Sequence, residues 1–183
     1  MPRIQPLDPE AAQPKAAELL TAIQRQLGVT PNLFRTLAHA PSVLGGYLTF
    51  TKSLGSGKLS LALREQIALA VAGANRCGYC ASAHTAMAQQ AGLRPEELGR
   101  NLNGKSEDPH TQAVLTFVNR VVTSRGNVTD TDLAQVRAAG LSDGEIVEII
   151  ANIALNVFTN YFNLVAGTEV DFPVVDVGPP RAA

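Results

Sequence analysis

Residues 65–84 read EQIALAVAGANRCGYCASAH. This segment holds both cysteines of the chain, one of its three histidines and an acidic residue at the edge of an apolar run. The run from Ile67 to Ala74 is apolar nearly all round, which is typical of a helix at the centre of a fold. Gly78 follows at the bend into a second helix. We therefore expect two central helices with the cysteines at their junction.

The chain outside this segment has helical patterns. Apolar residues recur three and four positions apart, and proline or glycine separates one periodic segment from the next. No segment shows the sustained alternation typical of strands. The sequence predicts one all-α domain over residues 1–183, with about eight or nine helices joined by short connections. The proline-rich segments 1–13 and 171–183 should be arms, and residues 59–92 should carry the active site.

Composition and charge exclude several classes of protein. The chain has 183 residues, a formal net charge of −1 and 45% hydrophobic residues. Without a basic run, it offers no surface typical of nucleic-acid binding. Its N-terminal segment lacks the apolar core of a signal peptide, and no apolar run approaches the ~20 residues that span a bilayer. We expect a cytoplasmic protein that binds neither nucleic acid nor membrane.

The cysteines Cys77 and Cys80 form a C-x-x-C motif. Cytosolic thiols are kept reduced, so this spacing indicates redox or metal chemistry rather than a structural disulfide. At the start of a helix the two residues would face each other across one turn, with Cα atoms roughly 5–6 Å apart, within disulfide range. The helix N-terminus would act mainly on Cys77, and His84, four residues after Cys80, on that second thiol. Both effects favour the reactive thiolate.

Glu65 lies on the preceding helix, on the side of Leu61, Leu69 and Ala72. A carboxylate among apolar residues is costly unless it has a partner. Partly desolvated, it would have a raised pKa that suits proton transfer to a thiol or an imidazole. We therefore expect Glu65 beside Cys80 and its histidine.

Other interpretations of this segment stay open. The cysteines could be two small core residues. Alternatively, both cysteines could bind zinc together with Glu65 and His84. A structural zinc site usually has a second Cys/His pair at a defined spacing, which His39 and His110 do not provide. We favour a redox site that uses no metal and no organic cofactor. A redox-responsive binding module, whose disulfide switches assembly without turnover, is a further alternative.

A row of asparagines marks the last long helix, which begins at the capping box Ser142-Asp143-Gly144-Glu145. The row comprises Asn152, Asn156, Asn160 and Asn163, on an otherwise strongly apolar segment. Buried amides must find partners, so the row favours a buried network or a subunit seam. Alternatively one or two of them line the active-site pocket, with Asn152 and Asn156 as the candidates.

The motif resembles that of the carboxymuconolactone decarboxylase/AhpD-like family, on its alkylhydroperoxidase side. The family signature is an acid, eleven residues, C-x-x-C, three residues and a histidine. These positions are Glu65, Cys77, Cys80 and His84 in this chain. The match is specific over about residues 59–92, and the wider chain resembles the branch usually described as peroxidase-related.

This resemblance implies an AhpD-like multihelical fold, assembled as trimers or hexamers, and a hydroperoxide-reducing dithiol. Cys80 would be the peroxidatic cysteine and Cys77 the resolving one, while His84 and Glu65 would relay protons. The partners would be a hydroperoxide substrate, an unidentified dithiol reductant and further copies of the chain.

One position departs from the best-known alkylhydroperoxidases, which carry a histidine directly before the second cysteine. This chain has Tyr79 there. A phenol, with an ordinary pKa near ~10, donates a hydrogen bond but is a poor base at neutral pH. Tyr79 is therefore a candidate pocket or relay residue. The resemblance also leaves open a carboxymuconolactone decarboxylase-like protein without peroxidase turnover, although the true decarboxylases lack the cysteine pair.

Overall fold

The predicted all-α fold is confirmed. The computed structural model describes residues 1–178, and within that range the chain forms nine α-helices and no β-strand. A short 3-10 turn at Pro9–Ala11 precedes the first helix. The helices are α1 (Pro14–Leu27), α2 (Asn32–Leu37), α3 (Pro41–Gly55), α4 (Leu61–Asn75), α5 (Gly78–Gln90), α6 (Pro95–Leu102), α7 (Pro109–Thr123), α8 (Asp130–Ala138) and α9 (Asp143–Ala166).

Helix α4 lies at the centre of the fold, where it contacts α5, α6, α7 and α9. Its residues from Glu65 to Ala72 are all buried, as expected for a helix that is apolar nearly all round. The helix begins at Ser60, whose hydroxyl accepts a hydrogen bond from the Leu63 N–H at 3.2 Å. It ends at Arg76, whose left-handed φ of 52° turns the chain into α5. This turn sets the position of the first cysteine.

Helix α9 packs against α3, α4, α5 and α7. The predicted capping box begins it: Ser142 and Glu145 each accept a hydrogen bond from the other's main-chain N–H. By length and composition α9 could cross a membrane, although 44% of its most apolar window is buried inside the protein. A buried core helix passes the same test, and the face of α9 that carries the four asparagines is buried.

Both ends of the described chain are held against the helices. The N-terminal arm caps α9, because the N–H groups of Arg3 and Ile4 donate to the Ala166 carbonyl at 2.7 and 3.1 Å. The C-terminal segment lies along α5, where the Val175 N–H donates to the Ser82 hydroxyl at 2.9 Å. Of the predicted arm 171–183, the last five residues, 179–183, lie outside the described range.

Candidate active site

The two cysteines meet at the start of α5. Cys77 is the N-cap residue of that helix, and its sulfur accepts a hydrogen bond from the Cys80 N–H at 3.4 Å. The two Sγ atoms lie 2.7 Å apart, and both residues are free cysteines. Their exposures are only 1% and 3%. The C-x-x-C motif therefore forms a close, buried pair of thiols, as its position at a helix start predicts.

The two thiols differ in their tendency to ionise. The hydrogen bond with Cys80 lowers the pKa of Cys77, and main-chain N–H groups of α5 add to this effect although burial opposes it. Burial raises the pKa of Cys80 well above its ordinary value, and the neighbouring Cys77 raises it further. The first proton lost by the pair thus leaves its charge at the helix N-terminus.

Glu65 and His84 form a hydrogen-bonded pair, and His84 lies one helical turn after Cys80 on α5. The Oε2 atom of Glu65 lies 2.8 Å from Nδ1 of His84. Glu65 is only 8% exposed, so the histidine supplies the partner that a buried carboxylate requires. With the proton on Nδ1 directed at the carboxylate, Nε2 is left as the basic nitrogen of the ring. Such a pair can accept a proton and hold the resulting imidazolium, as in catalytic triads.

The asparagine row of α9 divides into two halves. Asn152 donates from Nδ2 to the Glu148 carbonyl at 2.8 Å, and Asn156 donates to the Asn152 carbonyl at 2.9 Å. These two candidate pocket residues therefore bond to the main chain of their own helix, and no hydrogen bond joins them to the thiols in the part of the chain that is described.

The second half of the row reaches the dithiol instead. The Nδ2 atom of Asn163 donates to Cys80 Sγ at 3.3 Å. One turn earlier, Oδ1 of Asn160 accepts a hydrogen bond from Nδ2 of Asn75 at 3.1 Å. Both Asn160 and Asn163 are buried. The row does reach the dithiol, but through this second half.

Tyr79 contacts other parts of the molecule. Its hydroxyl accepts a hydrogen bond from the Leu33 N–H at 3.1 Å, at the start of α2. Its ring stands edge-on to Phe172, with centroids 5.8 Å apart and an interplanar angle of 89°. Burial raises the pKa of the phenol, so it stays protonated at neutral pH. Tyr79 thus ties α5 to α2 and to the C-terminal segment.

Tyr47 of α3 is a site residue that the sequence pattern does not mark. Its ring centroid lies 6.1 Å from that of Phe34 and 6.2 Å from that of Phe158, and it packs on the apolar cluster that contains both cysteines. Burial raises the pKa of its hydroxyl, and the charges of Cys80 and Glu65 raise it further. Only the folded chain brings α3 within reach of these charges.

No metal centre is evident in the described range: residues 1–178 contain no group of three or more His, Cys, Asp or Glu side chains placed to hold an ion.

Comparison with known proteins gives both sequence and structural relatives. The carboxymuconolactone decarboxylase family profile matches residues 41–106, which include the whole motif. An alkyl hydroperoxide reductase of Mycobacterium tuberculosis is 32% identical over 90 residues, a segment that spans 49% of this chain and 26% of that protein. The match thus covers about a quarter of that relative's length.

The structural relatives cover nearly the whole chain. A peroxidase-related protein of Ralstonia eutropha, described as an alkylhydroperoxidase AhpD core, has a TM-score of 0.84 at 25% identity, over 93% of this chain and 92% of its own. A peroxidase-related protein of Silicibacter sp. has a TM-score of 0.78 at 22% identity, over 91% of both chains.

A debrominase crystallised with 2,3,4-tribromopyrrole also has the fold, with a TM-score of 0.78 at 20% identity over 92% of this chain and 91% of its own. At that identity the likeness concerns the fold alone, and one fold hosts many reactions. Residues 41–106 thus resemble the carboxymuconolactone decarboxylase family, and the chain has the AhpD-like fold of a peroxidase-related protein.

Proposed function

We propose that this protein is a cysteine-based hydroperoxide reductase that cycles between a dithiol and a Cys77–Cys80 disulfide. One observation carries the proposal: two buried sulfurs lie 2.7 Å apart in a site that also holds a carboxylate–imidazole pair. A thiol that reduces a peroxide needs a base to take its proton and an acid for the departing oxygen. The relative named as an alkyl hydroperoxide reductase supports a reaction of this kind.

In the first step the Cys80 sulfur attacks the terminal oxygen of a hydroperoxide ROOH. The S–O bond forms as the O–O bond breaks, and the sulfur becomes a sulfenic acid. His84 takes the thiol proton and passes it to the departing alkoxide, which leaves as ROH. Glu65 stabilises the imidazolium formed between these two transfers.

In the second step the Cys77 sulfur attacks the sulfenic sulfur of Cys80. Hydroxide leaves, takes the remaining thiol proton and departs as water, so that a disulfide remains. An external dithiol then reduces this disulfide by thiol–disulfide exchange and becomes a disulfide itself. The short distance between the two sulfurs favours fast closure of the ring.

The assignment of the attacking sulfur rests on its neighbours. When the pair loses its first proton, the lowered pKa of Cys77 favours a thiolate at Cys77. The two sulfurs lie only 2.7 Å apart, however, so the remaining proton can move between them and leave the charge on Cys80 instead. Cys80 accepts a hydrogen bond from Asn163, and it lies one helical turn from His84. We therefore propose Cys80 as the peroxidatic cysteine.

The test is consumption of cumene hydroperoxide with excess dithiothreitol as reductant. We expect catalytic turnover by the wild type and none by Cys80→Ser. The Cys77→Ser variant should stop at a sulfenic acid on Cys80, which dimedone traps and peptide mass spectrometry locates. Oxidation of one equivalent without turnover would favour a redox switch, and a sulfenic acid found only on Cys77 would reverse the assignment.

We also propose that the protein is a cytoplasmic homo-oligomer, either a trimer or a hexamer. Helices α3 and α9 leave large apolar side chains exposed, namely Val43, Phe50, Val147, Ile150, Phe158, Tyr161 and Val165. Monomeric proteins rarely expose apolar patches of more than a few hundred Å². Sedimentation at micromolar concentration should give a multiple of the 19.3 kDa subunit mass, and a strictly monomeric mass would contradict self-association.

A further inference from the structure

Two amide atoms next to the dithiol have no hydrogen-bond partner. They are Nδ2 of Asn160 and Oδ1 of Asn163, and neither bonds to any other residue of the described range. The exposures of the two side chains are 0% and 3%. A buried polar atom without a partner is costly, so each such atom in a native protein requires an explanation.

The remaining atoms of these amides determine which way the two free atoms face. Oδ1 of Asn160 accepts from Asn75, which leaves its Nδ2 as a donor on the other side of the amide. Nδ2 of Asn163 donates to the sulfur of Cys80, which leaves its Oδ1 as an acceptor. Asn160 lies three residues before Asn163 on the same buried face of α9, one helical turn from the residue that contacts the sulfur. Both amides lower the pKa of Cys80 against the larger effect of burial.

We propose that Asn160 and Asn163 are catalytic residues whose amides hold the Cys80 sulfur and bind the two oxygens of the hydroperoxide. This inference rests on the proposed function, because it assigns the contacts of the substrate in the same site. Oδ1 of Asn163 accepts from the O–H of the hydroperoxide, and Nδ2 of Asn160 donates to the oxygen that leaves. Amides keep their protons at neutral pH, so the proton that the alkoxide takes still comes from His84.

The other half of the row shows that an asparagine on this face of α9 need not have an unpaired amide atom. Asn152 and Asn156 occupy the same buried face, and their Nδ2 atoms donate to carbonyls of the helix itself. Within the row, only the two asparagines at the dithiol leave a buried amide atom unpaired; elsewhere in the described range Oδ1 of Asn101 on α6 does so too. A donor and an acceptor side by side at a nucleophile match a hydroperoxide, which has one O–H to donate and a second oxygen to be stabilised.

Several titratable groups lie around Cys80, and each can contribute to a pH profile of its reactivity. These groups are Cys77 at the N-cap of α5, the adjacent Tyr79, Tyr47 on α3, and His84 one turn along α5 with its partner Glu65. The ionisation of the Cys80 thiol therefore has to be compared between variants. A Cys77→Ser background removes the second thiol, so that Cys80 is the only thiol in the chain.

The test compares two reagents on that background: cumene hydroperoxide and iodoacetamide. Both react with the thiolate, but their leaving groups differ. Iodide leaves without help from a hydrogen-bond donor, whereas an alkoxide needs one. We expect Asn163→Leu to raise the Cys80 pKa in the iodoacetamide pH profile and to slow alkylation at neutral pH about tenfold. Asn160→Leu should slow the peroxide reaction about 100-fold, and alkylation much less.

Thr159→Val serves as the matched control, because Thr159 is a buried polar residue of the same helix whose hydroxyl donates to the Asn156 carbonyl at 3.1 Å. Both of its rate constants should stay within about twofold of the wild type. If a leucine variant does not fold, Asn160→Ala and Asn163→Ala remove the amide without adding charge or branching. They should reproduce the losses.

Equal falls of the two rate constants in Asn160→Leu, or no fall in either, would overturn the oxygen contacts. An unchanged Cys80 pKa in Asn163→Leu would overturn the contact with the sulfur. These failures differ from failure of the proposed function, in which the parent protein itself shows no reaction with peroxide although Cys80 is alkylated. That last result would overturn the oxygen contacts as well.

Discussion

Two glutamates on neighbouring helices are equally buried and are held in different ways. Glu65 on α4 and Glu97 on α6 are each 8% exposed. The carboxylate of Glu97 accepts hydrogen bonds from the Ser106 hydroxyl and from Nδ2 of Asn101, the latter at 3.0 Å. Burial alone raises the pKa of Glu97, but these donors and the Arg100 guanidinium 3.8 Å away together lower it.

Glu65, by contrast, is hydrogen bonded to the imidazole of His84 at 2.8 Å. Hydroxyl, amide and guanidinium donors keep their protons at neutral pH and favour the charged carboxylate. An imidazole, in contrast, can exchange a proton with the carboxylate or pass one on. Burial alone therefore does not distinguish a structural acid from a functional one. The chemistry of the partners does, and this contrast can be tested on both residues.

The largest effect is expected for Glu65→Gln. The amide keeps the shape of the side chain but cannot stabilise an imidazolium, so the second-order rate constant with cumene hydroperoxide should fall by about 10²–10⁴-fold. Stopped-flow kinetics measures this constant. The fold should persist, because a neutral amide costs less to bury than a charge. An unchanged rate constant would remove Glu65 from the active site, even if both cysteines proved essential.

The second effect concerns stability. Glu97→Leu leaves the Ser106 hydroxyl and the Asn101 amide without their acceptor, so the free energy of unfolding in urea should fall by about 1–3 kcal/mol. The peroxide rate constant of the folded variant should match the wild type. Glu96→Ala, at the exposed neighbouring position, is the control and should change stability by less than about 0.5 kcal/mol. Loss of activity in folded Glu97→Leu would contradict the assignment of a purely structural role to Glu97.

The smallest effect is a dependence on pH. Because the folded pKa of Glu97 is lowered, its contribution to stability is present above the ordinary glutamate pKa of about 4.3. It is lost as the pH falls through the lower folded value. The wild type should thus exceed Glu97→Gln in urea midpoint at pH 5 by more than at pH 3. A difference that grows towards pH 3 would show that the hydrogen bonds do not favour the charged form.

Local sequence rules predict the architecture and the centre of the candidate active site. Proline, glycine and capping residues mark the helix boundaries, and the apolar α4 segment is central as expected. Cys77 and Cys80 meet because C-x-x-C at a helix start spans one turn. Glu65 lies beside His84 because a carboxylate on the buried side of α4 needs a partner.

Contacts between distant helices were beyond those rules. Periodicity identifies the face of α9 that carries the asparagines, but not which of them meets a sulfur on α5, so Asn163 could not be separated from Asn152. Likewise Tyr79 is adjacent to Cys80 in sequence, yet its hydroxyl reaches Leu33 on α2. Tyr47 faces the site only through the packing of α3, which no local signal encodes.

The most direct measurement is the intact mass of the reduced protein after one equivalent of cumene hydroperoxide, followed by peptide mapping. If the dithiol reduces peroxides as proposed, the mass falls by two hydrogens, one equivalent of cumyl alcohol appears, and the disulfide joins Cys77 to Cys80. Two thiols that stay free while the hydroperoxide remains unconsumed would contradict the mechanism.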